Sequence, residues 1–202
     1  MNDRIKNMTL IAVMTAVMCV LSPISIPLGP VPISLATLVV LLTTYILGMK
    51  RAVIAIILYL LIGLAGVPVF SGFSGGVAKL IGPTGGYLIG YIPMVLITGL
   101  IIDRYYRNYL ISIIGMFAAT AVLYAIGTAW LAYSASMTPA AALAAGVIPF
   151  IPLDLVKIVI AAVLGPVLRS RLEKAGLINY IQTPFLRTDS RKPGFLQRRD
   201  TP

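Results

Sequence analysis

Long stretches without a charged residue restrict the fold of this chain more than any other feature. Four of them cover residues 7–49, 52–78, 80–102 and 108–153. A helix needs roughly 20 apolar residues to cross the hydrocarbon core of a bilayer, and each stretch is long enough to supply them. Hydrophobic residues make up 59% of the chain, charged residues make up 11%, and the mean hydropathy is +0.98. We therefore predict an all-α membrane protein.

Proline and glycine divide the longest stretches into separate helices. Four prolines between residues 23 and 32 interrupt the first stretch, because proline lacks the amide hydrogen and clashes with the preceding turn. Segment 67–83 is rich in Gly, Ser and Pro and is predicted to be a loop. The predicted spans cover about residues 8–22, 34–48, 52–65, 84–102 and 109–130, and the sixth runs from Pro152 to Arg169. Thr138, followed by Pro139, is expected to cap a short helix that ends near Gly146.

The basic residues fall on one side of this predicted topology. Fourteen of the sixteen Lys and Arg residues lie before the first span, from the end of the sixth span at Arg169 onward, or in the connections after the second and fourth spans. Lys79 lies in a loop on the other side, and Lys157 lies within the sixth span. Because cytoplasmic segments carry an excess of Lys and Arg, the pattern predicts six spans with both termini cytoplasmic. The net charge of +10 is then explained by topology and does not indicate nucleic-acid binding.

The chain is predicted to form one domain in the cell membrane. No internal repeat is found, so residues 1–176 are taken as one six-span transmembrane domain and residues 177–202 as a polar, basic tail. Arg4 and Lys6 precede an apolar run, as in a signal peptide. No small-x-small cleavage site follows, so we expect the first helix to be retained.

The reactive side chains exclude most classes of enzyme. The chain has no histidine and six carboxylates, so a histidine-containing hydrolytic triad and an H-E-x-x-H zinc site cannot form. The glycines around Pro83 are not followed by the G-K-[ST] of a phosphate-binding loop. We predict a protein that is not an enzyme and has no catalytic residue, metal site or cofactor. Any ATP that drives its action must be hydrolysed by another subunit.

Asp154 and Lys157 form the most informative pair in the sequence. They are three residues apart near the start of the sixth span, in a segment that is otherwise apolar from residue 147 to 168, and this spacing places them on one helix face. Ionisable groups at membrane depth are costly and are usually retained because they face a cavity and act there. The alternative is an ion pair that only fixes helix packing.

A second candidate region is the loop and helix start at residues 66–87. It combines flexible glycines with aromatic, hydroxyl and cationic side chains, a composition typical of loops that line a ligand site. The predicted contacts are Phe70, Lys79, Thr84 and Tyr87. The alternative is a connector, and glycines that recur every four residues from Gly82 to Gly90 are explained by close helix packing.

Ala12 and Ala16 form a small-x-x-x-small pair on the first span. Such a pair allows another helix to approach closely. Because alanine is abundant in this chain, the pair alone is a weak signal.

The chain carries three distinctive motifs, which are Gly-Val-Pro-Val-Phe at 66–70 with Gly-Gly at 75–76, Leu-Ile-Gly-Pro-Thr-Gly-Gly-Tyr at 80–87, and Asp154-x-x-Lys157. They resemble those of the BioY family, the biotin-specific substrate-binding subunits (S components) of energy-coupling factor (ECF) transporters. The resemblance covers about residues 8–172. It implies a six-helix bundle with a high-affinity biotin pocket near the outer face, formed by the loops after spans one and three and by the last helices.

The resemblance also implies roles for individual residues. Biotin carries a ureido ring with two N–H donors and one carbonyl acceptor, an apolar thiolane ring and a carboxylate, so its pocket needs an acceptor, a donor or cation, and aromatic walls. Asp154 suits the ureido N–H groups. Lys157 donates to the ureido carbonyl or pairs with the carboxylate, and Lys79 is the competing partner of the carboxylate. Family members vary in the loop that holds Lys79.

The resemblance further implies partners within the membrane. Ala12 and Ala16 match the family's Ala-x-x-x-Ala motif, which is expected to dock against a transmembrane coupling subunit driven by two ATPase subunits. In the cycle proposed for the family, the loaded subunit topples in the bilayer to release biotin inside. Two alternatives stay open, an S component for another vitamin such as thiamine or riboflavin, and a membrane scaffold without a transport role.

Overall fold

The structure, a computed structural model, describes residues 3–27, 30–105 and 108–178. Its helices are α1 (Asp3–Leu21), α2 (Ala36–Leu47), α3 (Met49–Leu64), α4 (Val77–Ile81), α5 (Gly85–Tyr105), α6 (Tyr109–Ser134), α7 (Pro139–Gly146) and α8 (Ile151–Lys174). Two short antiparallel strands, β1 (Ser25–Ile26) and β2 (Ile33–Ser34), form a hairpin. Arg107 and all but the first two residues of the expected tail at 177–202 lie outside the described residues.

The all-helical prediction is confirmed, and each predicted span coincides with a helix. Four of these helices, α1, α5, α6 and α8, are long and apolar enough to cross a bilayer. The other two, α2 and α3, have 12 and 16 residues. The chain is a multi-pass helical membrane protein.

The proline-rich and glycine-rich segments end the helices where expected. After α1 ends, the β1–β2 hairpin pairs Ser25 with Ser34 and Ile26 with Ile33. Strands of two residues carry no periodic signal, so the sequence did not predict them. The predicted loop 67–83 also contains the short helix α4. The cap of α7 is confirmed, since the Thr138 hydroxyl accepts a hydrogen bond from the Ala141 amide at 3.3 Å.

Glycines bring α5 and α6 close together. A Cβ atom at Gly86 would lie 2.3 Å from the Cβ atom of Trp130, and one at Gly90 would lie 2.8 Å from a methyl carbon of Leu123. The packing interpretation is therefore confirmed for these two glycines. Gly82 has a different position, at the end of α4, where its carbonyl accepts a hydrogen bond of 2.9 Å from the indole Nε1 of Trp130.

The termini of α1 and α8 lie together at one end of the bundle. Lys6 donates a hydrogen bond to the Gly176 carbonyl at 2.8 Å. The α2–α3 turn at Gly48 lies at this end too, because a Cβ atom there would be 2.7 Å from a carboxylate oxygen of Asp103 near the end of α5. The helix directions then place the hairpin, α4 and α7 at the opposite end.

A buried ionic cluster fixes the end that holds the termini. Arg169, only 2% exposed, lies 3.7 Å from Asp103 and 3.4 Å from Glu173. It also donates a hydrogen bond to the Tyr45 carbonyl at 3.3 Å. Asp103 in turn accepts from the Met49 amide at 3.0 Å. The cluster therefore joins α8 to α5 and to the α2–α3 turn.

Candidate ligand-binding site

Asp154 and Lys157 lie in the first two turns of α8, which begins after Phe150 and carries Pro152 in its first turn. They are 3% and 7% exposed, and their side chains meet at 2.7 Å between Lys157 Nζ and Asp154 Oδ1. The spacing puts both on one face of the helix. A carboxylate in the first turn is also favoured by the positive end of the helix dipole. The pair is therefore a buried local ion pair at the end opposite the termini.

Two further hydrogen bonds anchor this pair to other elements. The Tyr124 hydroxyl on α6 donates to Asp154 Oδ2 at 2.6 Å, and Lys157 Nζ donates to the Ser34 carbonyl of β2 at 2.8 Å. Both carboxylate oxygens therefore accept a hydrogen bond. Three parts of the chain that are far apart in sequence converge on the pair.

The pair keeps hydrogen-bonding capacity for a ligand. An ammonium group has three donors, and within the part of the chain that the structure describes Lys157 uses two of them, on Asp154 and Ser34. A carboxylate offers about four acceptor positions, and among the described residues Asp154 fills two, from Lys157 and Tyr124. With respect to the described residues, one donor and about two acceptor positions are left.

A cavity of about 50 Å³ opens beside the pair. Loop, helix and hairpin residues all contribute to its wall. Its lining consists of Val31, Pro32, Ser34, Thr37, Ser71, Thr84, Tyr87, Leu88, Tyr91, Leu123, Tyr124, Phe150, Asp154 and Lys157. The wall thus combines one acid, one base, several hydroxyl groups and three tyrosine rings, the mixture found in pockets for small ligands with a polar head and an apolar body.

Thr84 and Tyr87, predicted from the loop, lie in this wall. The Tyr87 hydroxyl donates to the Gly146 carbonyl at 2.9 Å and lies 3.3 Å from the Thr128 hydroxyl. These contacts tie the start of α5 to α6 and α7. The Tyr87 ring therefore serves as a fixed part of the wall.

Phe70 and Lys79 do not line the cavity. The loop folds inward at Phe70, which is fully buried and packs edge-to-face on Tyr59 with ring centroids 5.6 Å apart. The same ring covers Gly63, where a Cβ atom would lie 2.1 Å away. Lys79 is half-buried in α4, and burial lowers the pKa of its ammonium group.

Sequence reasoning missed several residues of the wall, above all Tyr124, Tyr91, Thr37 and Ser34. Tyr91 follows Tyr87 by one helical turn and shares its face, a signal that was present in the sequence. Tyr124 stands in an apolar run, and its role depends on a neighbour 30 residues away. Ser34 contributes a backbone carbonyl to Lys157, for which no side-chain pattern exists.

Ala12 and Ala16 lie on the exposed face of α1. The opposite face carries Met14, Thr15 and Met18, which are buried against the bundle. The two alanines therefore look outward, away from the cavity. Among residues 3–27, 30–105 and 108–178, no group of three or more His, Cys, Asp or Glu side chains is placed to hold a metal ion.

The fold and this cavity define a helical membrane protein with a candidate ligand site inside one end of its bundle. The model of the BioY family matches residues 1–174, and the chain belongs to that family. The family resemblance of the sequence is thereby confirmed.

Comparisons with individual proteins agree with this assignment. The probable biotin transporter BioY of Pyrococcus horikoshii is 39% identical over 160 residues, which cover 79% of this chain and 94% of that protein. The biotin transporter BioY2 of Lactococcus lactis subsp. cremoris is 36% identical over 168 residues, 81% of this chain and 90% of that protein. The crystal structure of an S-component for biotin from an ECF-type ABC transporter matches with a TM-score of 0.77 and 28% identity, covering 83% of this chain and 92% of that chain.

Proposed function

We propose that this protein is the biotin-binding S component of an ECF transporter and captures the vitamin from outside for uptake. The observation that carries the proposal is the buried Asp154–Lys157 pair, which faces a cavity with unused donor and acceptor positions. Membership of a family of transporter components supports it and argues against an enzyme. Biotin is then the ligand, and no cofactor is required.

The unused positions match the polar head of biotin. The ureido ring offers two N–H donors and one carbonyl acceptor, while the pair has about two acceptor positions on Asp154 and one donor on Lys157. Such hydrogen bonds to charged groups are stronger than neutral ones. We assign Asp154 to the ureido N–H groups and Lys157 to the ureido carbonyl. The rings of Tyr87 and Tyr91 supply the wall for the thiolane ring.

The valerate carboxylate of biotin then needs a different cation. Lys79 in α4 is the remaining candidate from the loop, and it lies outside the wall of the cavity. The cavity of about 50 Å³ is also smaller than the roughly 300–1,000 Å³ of common ligand pockets. Entry of biotin therefore requires the loop and hairpin to move outward, which gives the valerate tail a path toward α4.

Six spans and cytoplasmic termini belong to the same proposal. With 1.5 Å per residue, α2 is about 18 Å long, less than the hydrocarbon thickness of roughly 30 Å. Ten of its twelve residues are buried by neighbouring helices, and backbone at membrane depth is tolerated where protein surrounds it. The basic residues, concentrated on the side of the termini, favour that side as cytoplasmic.

The outward face of α1 is the proposed docking surface for the transmembrane coupling subunit. Ala12 and Ala16 are exposed there and allow a partner helix to approach closely. Two ATPase subunits, bound to that coupling subunit, would supply the energy.

Binding of labelled biotin to the purified protein tests the proposal. We expect a dissociation constant in the nanomolar range, and no measurable binding of biotin would refute the function. A thermal-shift panel with biotin, thiamine and riboflavin separates the vitamins, since the true ligand stabilises the folded state by mass action. A scaffold would show no shift with any of them.

A further inference from the structure

Tyr124 lies where three cavities meet on α6. On one side is the polar cavity beside Asp154. On the others are an apolar groove of about 590 Å³ toward α7 and one of about 110 Å³ toward α8. Exposed residues such as Ala121, Ala125 and Phe117 line these grooves, so they open toward the bilayer. The Tyr124 side chain therefore lines both the polar cavity and the two grooves, and Asp154 lines the polar cavity and the groove toward α8.

The hydroxyl of Tyr124 is held by the acid of the site. It lies 2.6 Å from Asp154 Oδ2, while Lys157 contacts the other carboxylate oxygen at 2.7 Å. Hydrogen bonds from Tyr124 and Lys157 to different oxygens hold the carboxylate at one angle about its last side-chain torsion. Without such bonds this torsion angle has a broad distribution. A hydrogen bond to an ionised group is also among the strong ones.

We propose that Tyr124 is a positioning residue of the binding site, which orients the Asp154 carboxylate for the two parallel N–H donors of a cyclic urea. The inference rests on the proposed function. Without the hydroxyl, the carboxylate keeps one anchor, on Lys157, and turns away from the orientation that accepts both N–H groups. Tyr124 acts through Asp154, so its effect depends on that residue.

A double-mutant cycle in purified full-length protein tests this dependence. Tyr124→Phe removes the hydroxyl and keeps the ring, and we expect the dissociation constant of biotin to rise about tenfold, the scale of one hydrogen bond to a charged group. In an Asp154→Asn background the same substitution should change affinity by less than about threefold, because coupled residues are not additive. If the affinity loss of the double variant equals the product of the two single losses, the proposal is overturned. Wild-type affinity in Tyr124→Phe would overturn it as well.

Tyr59→Phe is the matched control. The Tyr59 hydroxyl is buried and donates to the Val69 carbonyl at 3.0 Å, outside the cavity wall. Its removal should leave affinity within about threefold of wild type. If Tyr59→Phe weakens binding as much as Tyr124→Phe, the effect reflects general loosening and the proposal falls.

The cycle separates this inference from the function on which it rests. A wild-type protein that binds no biotin refutes the proposed function, whereas wild-type binding with an unaltered Tyr124→Phe variant refutes only the positioning role. Thermal unfolding in the same detergent verifies that each variant is folded. If Tyr124→Phe does not fold, 3-fluorotyrosine at position 124 retains the donor and should bind within about threefold of wild type. A tenfold loss there would contradict a role for the hydroxyl.

Discussion

Two buried groups of charges on α8 serve different ends of the molecule. Asp154 and Lys157, three residues apart, pair with each other and face a cavity. Arg169 reaches instead to Asp103 on α5 and to the Tyr45 carbonyl on α2. The Asp154–Lys157 ion pair lies within one helix and reaches other elements only through its hydrogen bonds to Tyr124 and Ser34, whereas the ion pair between Arg169 and Asp103 itself joins two helices. Burial of charge alone therefore does not indicate a candidate binding site. Unused hydrogen-bond donors and acceptors that face a cavity do indicate one.

The largest effect on stability is expected from Arg169→Met. It leaves Asp103 and Glu173 without this cation, and breaking a buried ion pair costs roughly 3–5 kcal/mol. We expect about 3 kcal/mol, since both carboxylates are a quarter exposed. Denaturant unfolding in detergent measures this loss in the free energy of unfolding. Arg171→Met, on the exposed side of the same helix, should cost less than about 0.5 kcal/mol. A tenfold loss of biotin affinity in folded Arg169→Met would show that the Arg169 cluster also contributes to the proposed binding site.

The largest effect on binding is expected from Asp154→Asn. The amide presents one acceptor oxygen in place of two, so biotin affinity should fall more than about tenfold, or 1.4 kcal/mol. Titration with labelled biotin measures this. Asp103→Asn is the same substitution in the other cluster and should leave affinity within about threefold while lowering stability. Unchanged affinity in Asp154→Asn would remove that residue from the site.

A matched pair of glycines tests whether the two ends of the bundle are independent. A Cβ atom at Gly127 would lie 2.3 Å from the Tyr87 ring in the cavity wall, and one at Gly165 would lie 2.4 Å from the Tyr45 ring at the other end. Each Gly→Ala change should cost about 1 kcal/mol of stability through overpacking. Only Gly127→Ala should also weaken biotin binding, because it displaces Tyr87. Equal affinity losses in both variants would show that the two ends are not independent.

The smallest effect on biotin binding is expected from Lys79→Ala. A cation near the mouth attracts an anionic ligand, so the association rate should fall about twofold to threefold at low salt and converge with wild type at high salt. Burial lowers the pKa of this ammonium group. The attraction should therefore weaken, as pH rises, at a lower pH than for an ordinary lysine. Stopped-flow binding of biotin across pH and ionic strength tests the pH dependence and the salt dependence. A difference that persists at high salt would show that Lys79 also pairs directly with the valerate carboxylate of the bound ligand.

The sequence predicted the helices well, because the length of an uncharged stretch can be read from each segment without knowledge of its neighbours in the fold. It also singled out Asp154 and Lys157, which the structure brings together beside the cavity, since ionisable side chains in apolar segments stand out. Thr84 and Tyr87, predicted from loop composition, lie in the cavity wall. The partners Tyr124 and Ser34 were not found, because their roles arise only when α6 and the hairpin fold against α8.

Residues whose role depends on the path of the chain were assigned less well. Phe70 was expected at the site as an aromatic residue in a loop, but the loop turns inward and buries its ring on Gly63. Arg169 was expected as the end of the sixth span. The helix continues to Lys174, and the guanidinium group lies inside the bundle. Neither outcome can be obtained from local composition, because both depend on tertiary neighbours.

The hydrogen bond from Trp130 to Gly82 gives the protein a built-in optical reporter. Trp130 is the only tryptophan of the chain, and its indole nitrogen is bound to the turn that precedes Thr84 in the cavity wall. Any outward displacement of that turn would change the polarity around the indole and hence its emission. Fluorescence of the unlabelled protein would then follow opening of the pocket in real time.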